Sequence, residues 1–87
     1  MDRNIAIVTG ACGGIGRAIS HALAVTHDVV GIFHSASEAA RVGWQDQCGA
    51  AGLVQADLTD HAATTTAIQA IIAARGAPSV LVNCAGI

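Results

Sequence analysis

The stretch of residues 8–17, VTGACGGIGR, decides the fold of this chain. It follows the apolar run of residues 5–8 and precedes an amphipathic segment, so it predicts a strand, a tight glycine turn and a helix start. Glycines let backbone N–H groups approach an anion closely, and the helix N-terminus adds the positive end of a dipole. The stretch therefore predicts a phosphate cradle, and its position between a strand and a helix favours a dinucleotide as the ligand.

Composition limits the class of protein. The 87 residues suffice for one small domain or for part of a larger one. A net charge of −2, with one tryptophan and one phenylalanine, provides neither the basic field nor the aromatic platforms of a nucleic-acid-binding protein. The first apolar run is too short for a signal peptide, and no apolar stretch reaches the roughly 18 residues of a membrane span. We therefore expect a soluble, cytoplasmic protein that binds neither nucleic acid nor membranes.

Cysteine and histidine spacing argues against a metal site. Cys12, Cys48 and Cys84 are far apart, and none belongs to a CxxC or Cys/His ligand pattern. Three reduced thiols in a cytoplasmic protein are the interpretation we favour, with a redox-sensitive thiol at Cys12 as the alternative. The histidines also lack ligand spacing, so no metal-binding residue is predicted.

Strands and helices are predicted to alternate along the whole chain. Apolar periodicity and capping signals predict strands at 4–9, 29–33, 52–56 and 79–83 and helices at about 14–26, 37–49 and 60–75. Ser35 or Ser37 is expected to cap the second helix, and Thr59 or Asp60 the third. The predicted inward-facing residues of these two helices are Val42, Trp44, Ile68, Ile71 and Ile72.

This order predicts an α/β fold, a doubly wound parallel sheet of Rossmann type with strand order 3-2-1-4. In such a sheet, a ligand crevice lies at the carboxyl ends of strands one and four. The glycine turn follows strand one and residues 83–86 follow strand four, so two separate signals predict the same crevice.

Three motifs in this order resemble those of the short-chain dehydrogenase/reductase family. They are Thr9-Gly10-x-x-x-Gly14-Ile15-Gly16, Asp57-Leu58-Thr59-Asp60 after strand three, and Asn83-Cys84-Ala85-Gly86-Ile87 after strand four. Within the family, the reductases of 3-oxoacyl thioesters, such as acetoacetyl-CoA, are most similar to this sequence. The resemblance implies that residues 1–87 are the N-terminal part of an NAD(P)-binding domain.

The resemblance also implies roles for the motif residues. Gly10, Gly14 and Gly16 would line the pyrophosphate turn, Ile15 would supply a backbone N–H, and Thr9 would brace the turn against strand four. Asp57 would accept a hydrogen bond from the adenine amino group. The cofactor-binding set is completed by Leu58, Asn83, Ala85 and Gly86, with Cys84 in place of the family's second asparagine. The alternatives are that Thr9 is an ordinary strand residue and that Asp57 caps the next helix.

The end of strand two, residues 31–37 (GIFHSAS), indicates which cofactor is bound. An NAD site needs a carboxylate there for the ribose 2′-hydroxyl, and no acid occurs before Glu38. His34, Ser35 and Ser37 can donate hydrogen bonds to a 2′-phosphate. Arg41 would add charge if its helix faced that way, whereas a solvated surface arginine is the alternative. We predict NADP in preference to NAD.

Catalytic residues are not assigned in this chain. Members of the family transfer a hydride between a nicotinamide and a carbonyl or alcohol group, and a tyrosine with a lysine four residues later supplies the proton. Both lie beyond the Asn-Ala-Gly segment in the family, and this sequence contains neither residue type. We expect the cofactor-binding part of an NADP-dependent reductase of a ketone, inactive alone, whose parent the resemblance implies to be a homotetramer.

Two other functions are considered. One is a non-catalytic dinucleotide-binding module that works with a partner chain. The other is a sugar-nucleotide epimerase of the extended type, which the spacing of Gly10, Gly13 and Gly16 permits. The segment from Asn83 to Gly86 and the lack of an acid after strand two argue against the epimerase.

Overall fold

The computed structural model describes residues 4–48 and 52–84. The described elements are β1 (Asn4–Thr9), α1 (Gly14–Leu23), β2 (His27–Phe33), α2 (Glu38–Cys48), β3 (Gly52–Gln55), α3 (His61–Arg75) and β4 (Val80–Asn83). The four strands are parallel and lie in the order β3-β2-β1-β4. The predicted α/β fold, its parallel sheet and its strand order are therefore confirmed.

Side chains alternate along β1 and fill two cores, one on each face of the sheet. Ile5 and Ile7 pack with Ile71 of α3 on one face. Ala6 and Val8 pack with Trp44 of α2 on the other face. Because residues 5–8 are all at most 7% exposed, β1 is buried on both faces, as expected for a central strand of a parallel sheet.

Two residues predicted to face the core, Val42 in α2 and Ile72 in α3, are exposed instead. Val42 is 49% exposed and Ile72 is 43% exposed. Trp44 lies about 200° around the α2 helix from Val42, so the helix cannot bury both against one sheet. Trp44 is fully buried and Ile71 is 4% exposed, so these two inward assignments are confirmed.

Element boundaries differ from the prediction by a few residues. Helix α1 ends at Leu23 rather than near residue 26, and β2 begins at His27 rather than at residue 29 because His27 already pairs with Asn4. The side chain of Ser37 accepts a hydrogen bond from the N–H of Ala40 and caps α2. Within the described residues, no helix has the length and apolar character needed to cross a membrane.

Candidate functional site

The glycine turn lies at the carboxyl end of β1. Gly10 has φ +62°, in the left-handed region that favours glycine, and its carbonyl accepts the N–H of Gly13 at 3.1 Å. The N–H of Ala11 donates to the carbonyl of Ile32 at 3.2 Å, which ties the turn to the neighbouring strand β2. The turn is therefore held by backbone hydrogen bonds rather than by side chains.

Gly16 and Gly14 occupy different environments at the start of α1. A Cβ atom at Gly16 would lie 2.1 Å from the carbonyl oxygen of Gly10, so only glycine lets the helix sit directly on the turn. A Cβ atom at Gly14 would have no described heavy atom within 4 Å apart from its own helix and chain neighbours. Gly13 at the N-cap makes no side-chain cap, so the first N–H groups of α1 remain available to an anion.

Thr9 joins the ends of the two central strands. Its hydroxyl lies 2.7 Å from Oδ1 of Asn83, to which it donates, and it accepts the N–H of Cys84 at 3.1 Å. Thr9 is 7% exposed. These contacts fix the end of β4 beside the glycine turn.

A cleft of about 380 Å³ opens between the glycine turn, the end of β2 and the loop from β3 to α3. Five of the predicted site residues line it: Gly10, His34, Ser35, Asp57 and Leu58. Gly14 instead lines a separate hollow with Arg17 and His21, and the Ile15 side chain is 74% exposed. Thr9, Gly16 and Asn83 do not line the cleft, and the predicted residues Ala85 and Gly86 lie outside the described residues.

Other residues of the cleft wall were not predicted as part of the site. They are Cys12, Gly13, Ile32, Phe33, Ala56, Thr59 and Cys84. Four of them, Cys12, Gly13, Thr59 and Cys84, lie within the three motifs, and Ile32 and Phe33 are the last residues of β2. The rule that ligands bind at the carboxyl ends of parallel strands would have identified these two from the sequence.

Asp57 is the anionic group of the cleft. Its Oδ1 atom accepts the hydroxyl of Thr59 at 2.6 Å and the N–H of Thr59 at 2.9 Å, whereas Oδ2 lies 3.8 Å from Nε2 of His34. The hydrogen bonds from Thr59 are the main reason that the pKa of Asp57 lies below its ordinary value, with a smaller contribution from His34. Asp57 does not cap α3, because Asp60 accepts the N–H of Ala63 and performs that role.

Arg41 does not line the cleft. Its guanidinium lies 5.7 Å from the centroid of the Phe33 ring, in a cation–π arrangement, and both residues line a neighbouring hollow. Arg41 is therefore a surface arginine, as in the alternative prediction, and not a residue of the cleft wall. Phe33 borders both the cleft and the neighbouring hollow.

Cys12 and Cys48 do not have the lowered pKa of an activated thiol. Burial raises the pKa of Cys12, and the charges of Arg17 and Arg41 offset only part of this effect. Burial also raises the pKa of Cys48. Since the thiolate is the reactive form, these shifts argue against the redox alternative for Cys12. In the described part of the chain, no group of three or more His, Cys, Asp or Glu residues has the arrangement to hold a metal ion.

Comparison with known proteins finds relatives of the same kind by family model and by sequence. The model of the short chain dehydrogenase family matches residues 4–87. An acetoacetyl-CoA reductase from Acinetobacter sp. (strain RA3849) is 37% identical over 91 residues, covering 99% of this chain and 37% of the relative. The chain therefore spans little more than a third of the length of this curated relative.

Two solved structures have the same architecture over nearly the whole chain. A variant of a short-chain dehydrogenase/reductase from Serratia marcescens is 28% identical, with a TM-score of 0.86, and the match covers 99% of this chain and 37% of that one. A 3-oxoacyl-[acyl-carrier protein] reductase from Brucella melitensis, solved in complex with NAD, is 29% identical with a TM-score of 0.82. That match covers 100% of this chain and 35% of the reductase.

Proposed function

Since this chain belongs to the short chain dehydrogenase family, we propose that it forms the cofactor-binding N-terminal part of an NADP-dependent oxidoreductase. The parent protein reduces a ketone by hydride transfer, and a 3-oxoacyl thioester such as acetoacetyl-CoA is the proposed substrate. The relative that carries the name acetoacetyl-CoA reductase supports this substrate class. The proposed parent is cytoplasmic and homotetrameric.

One observation carries the proposal: three loops that are distant in sequence border one cleft. The glycine turn contributes Gly10, the end of β2 contributes His34, and the loop after β3 contributes Asp57. These groups offer a backbone cradle, a hydrogen-bond donor and an anionic acceptor, respectively. This combination matches the pyrophosphate, the ribose and the adenine of a dinucleotide.

The residues present fit such a cofactor. The cleft volume lies within the range of small-molecule sites, and the uncapped start of α1 offers backbone N–H groups to a pyrophosphate. Apart from its own helix and chain neighbours, no described heavy atom lies within 4 Å of a Cβ position at Gly14, so that side of the helix start is open. When bound, the reduced cofactor supplies the hydride to the carbonyl carbon of the substrate. This chain holds and orients the adenosine half.

His34 and Ser35 support NADP rather than NAD. Both residues line the cleft directly after β2, where an NAD site carries a carboxylate. His34 is an exposed side chain that can donate a hydrogen bond to a 2′-phosphate and gains a positive charge when protonated. The Brucella melitensis reductase is solved with NAD, so the preference rests on these two residues and not on that relative.

We propose that the residues that donate the proton to the substrate are not among these 87 residues. The sequence has no tyrosine and no lysine, so we expect a further part of the parent protein to supply the catalytic acid. The alternative is a non-catalytic dinucleotide-binding module that acts with a partner chain. Finding the tyrosine and the lysine on a separate partner chain would favour this alternative.

The cofactor preference is tested by calorimetry on the 87-residue chain with adenosine 2′,5′-bisphosphate and AMP, which differ by the 2′-phosphate. We expect the bisphosphate to bind about tenfold more tightly, because a hydrogen bond to a charged group contributes about 1.5 kcal/mol or more. His34→Ala should remove most of this difference, while His21→Ala, outside the cleft, should leave it unchanged. Equal binding of the two nucleotides by the unaltered chain would contradict the NADP assignment.

The assignment of the acid is tested by an activity assay. The purified chain should show no oxidation of NADPH in the presence of acetoacetyl-CoA. Turnover above the rate without protein would show that this chain carries its own proton donor.

A further inference from the structure

We propose that Thr59 is a positioning residue, which fixes the carboxylate of Asp57 so that the site selects adenine over hypoxanthine. The inference rests on the proposed function, because it concerns the adenine end of the same cleft. Thr59 lines that cleft together with Asp57.

The two oxygen atoms of the Asp57 carboxylate have different environments. Thr59 donates both its hydroxyl and its N–H to Oδ1, at 2.6 Å and 2.9 Å. Oδ2 has His34 as its neighbour at 3.8 Å, which is too long for a hydrogen bond. Thr59 therefore sets the rotation of the carboxylate and keeps Oδ2 as the oxygen that can accept a hydrogen bond from a ligand.

The hydroxyl of Thr59 is not needed to begin helix α3. Asp60 is the N-cap and accepts the N–H of Ala63 at 3.1 Å. The backbone of Asp57 is held separately, since its carbonyl accepts the N–H of Asp60 at 2.9 Å. Removing the Thr59 hydroxyl leaves the N–H of Thr59 donating to Oδ1 at 2.9 Å, so it is expected to loosen the Asp57 carboxylate without disturbing the loop.

Adenine selectivity follows from the acceptor character of the carboxylate. The hydrogen bonds from Thr59 keep the pKa of Asp57 low, so the group is ionised near neutral pH and only accepts hydrogen bonds. Adenine presents its N6 amino group as a donor, whereas hypoxanthine has a carbonyl oxygen at that position. With hypoxanthine, Oδ2 would face an acceptor at position 6 instead of a donor, so the hypoxanthine nucleotide binds more weakly.

The test compares Thr59→Val, which keeps the shape but lacks the hydroxyl, with Thr59→Ser, which retains it. AMP and IMP are titrated against each variant by NMR, and the carboxyl carbon of Asp57 is followed as a function of pH. We expect the unaltered chain to prefer AMP about tenfold, given one hydrogen bond to a charged group. Thr59→Val should reduce this preference to about twofold and raise the pKa of Asp57, while Thr59→Ser should preserve both.

Each other outcome has a distinct meaning. If Thr59→Val keeps the AMP preference and the low pKa of Asp57, Thr59 does not position the carboxylate. If the pKa rises but the preference persists, the carboxylate does not select the base, and the inference is overturned. If the unaltered chain binds neither nucleotide, the proposed function fails and the adenine role fails with it. Circular dichroism spectra that match the unaltered chain confirm that the variants fold.

Discussion

The glycine turn and the loop between β3 and α3 border the same cleft but are built by opposite means. The turn offers backbone N–H groups, and its shape depends on the absence of a side chain at Gly16. The loop offers the Asp57 carboxylate, and its geometry depends on side-chain hydrogen bonds from Thr59. Substitutions in the turn should therefore affect folding first, whereas substitutions in the loop should affect ligand choice and pH dependence first.

The largest expected effect is that of Gly16→Ala on stability. The new Cβ would lie 2.1 Å from the Gly10 carbonyl, a backbone atom that cannot move without shifting the turn. We expect the free energy of unfolding, measured with urea, to fall by about 3 kcal/mol, in the upper range for overpacking. Gly14→Ala is the matched control, because its Cβ would enter open space. Equal stability of the two variants would show that the turn tolerates side chains.

A smaller effect is expected for Thr9→Val, which tests how the turn is connected to β4. The valine cannot make the 2.7 Å contact with Asn83 or accept the N–H of Cys84. The free energy of unfolding should fall by about 1.5 kcal/mol, because partly buried polar groups lose their partner. Thr9→Ser retains the hydroxyl and should lose less than about 0.5 kcal/mol. If Thr9→Ser is destabilising and Thr9→Val is not, packing of the methyl group rather than the hydroxyl holds this junction.

The smallest effect on folding is expected from Asp57, and it should appear as a pH dependence. The pKa of Asp57 is lowered in the folded chain, so its contribution to stability is present above the unfolded value of about 3.9 and is lost as the pH falls through the folded pKa. Asp57→Asn should lower the urea midpoint slightly at about pH 7, where the contribution of the carboxylate is lost, and flatten the decrease in the midpoint below about pH 4. An identical acid profile for both chains would contradict the hydrogen bonds from Thr59.

The same substitution should have its main effect on the ligand. An asparagine amide carries both a donor and an acceptor, so it can face either base. We expect the preference for AMP over IMP to fall from about tenfold to nearly none in Asp57→Asn. An unchanged preference in nucleotide titrations would place the adenine elsewhere.

Sequence was sufficient for the parts of the fold that depend on local pattern. The buried run of β1 and the Gly10 turn follow from apolar periodicity and from glycine conformation, and the strand order follows from the alternation of strands and helices. The inward assignment of Val42 and Ile72 was wrong because each helix face that meets the sheet is narrow, and Trp44 and Ile71 already occupy it.

The side-chain contacts within the site were harder to predict from the sequence. The sequence predicts Thr59 as part of the Asp57–Asp60 motif and as a candidate helix cap, but not as a contact of the Asp57 carboxylate. Its contact with Asp57 is a local hydrogen bond to the residue two positions earlier, of a kind that Asp commonly makes in turns, so the sequence could have suggested it. The proximity of His34 to Asp57 depends on the pairing of β2 with β3, which no local pattern encodes.

The most direct test of the cleft is an NMR titration of the ¹⁵N-labelled chain with adenosine 2′,5′-bisphosphate. If the three loops form one adenosine site, the amide signals of residues 10–16, 34–35 and 57–59 should shift together along a single binding curve. Shifts confined to the glycine turn would indicate an anion site only. No shift in any of the three segments at millimolar nucleotide would contradict the account.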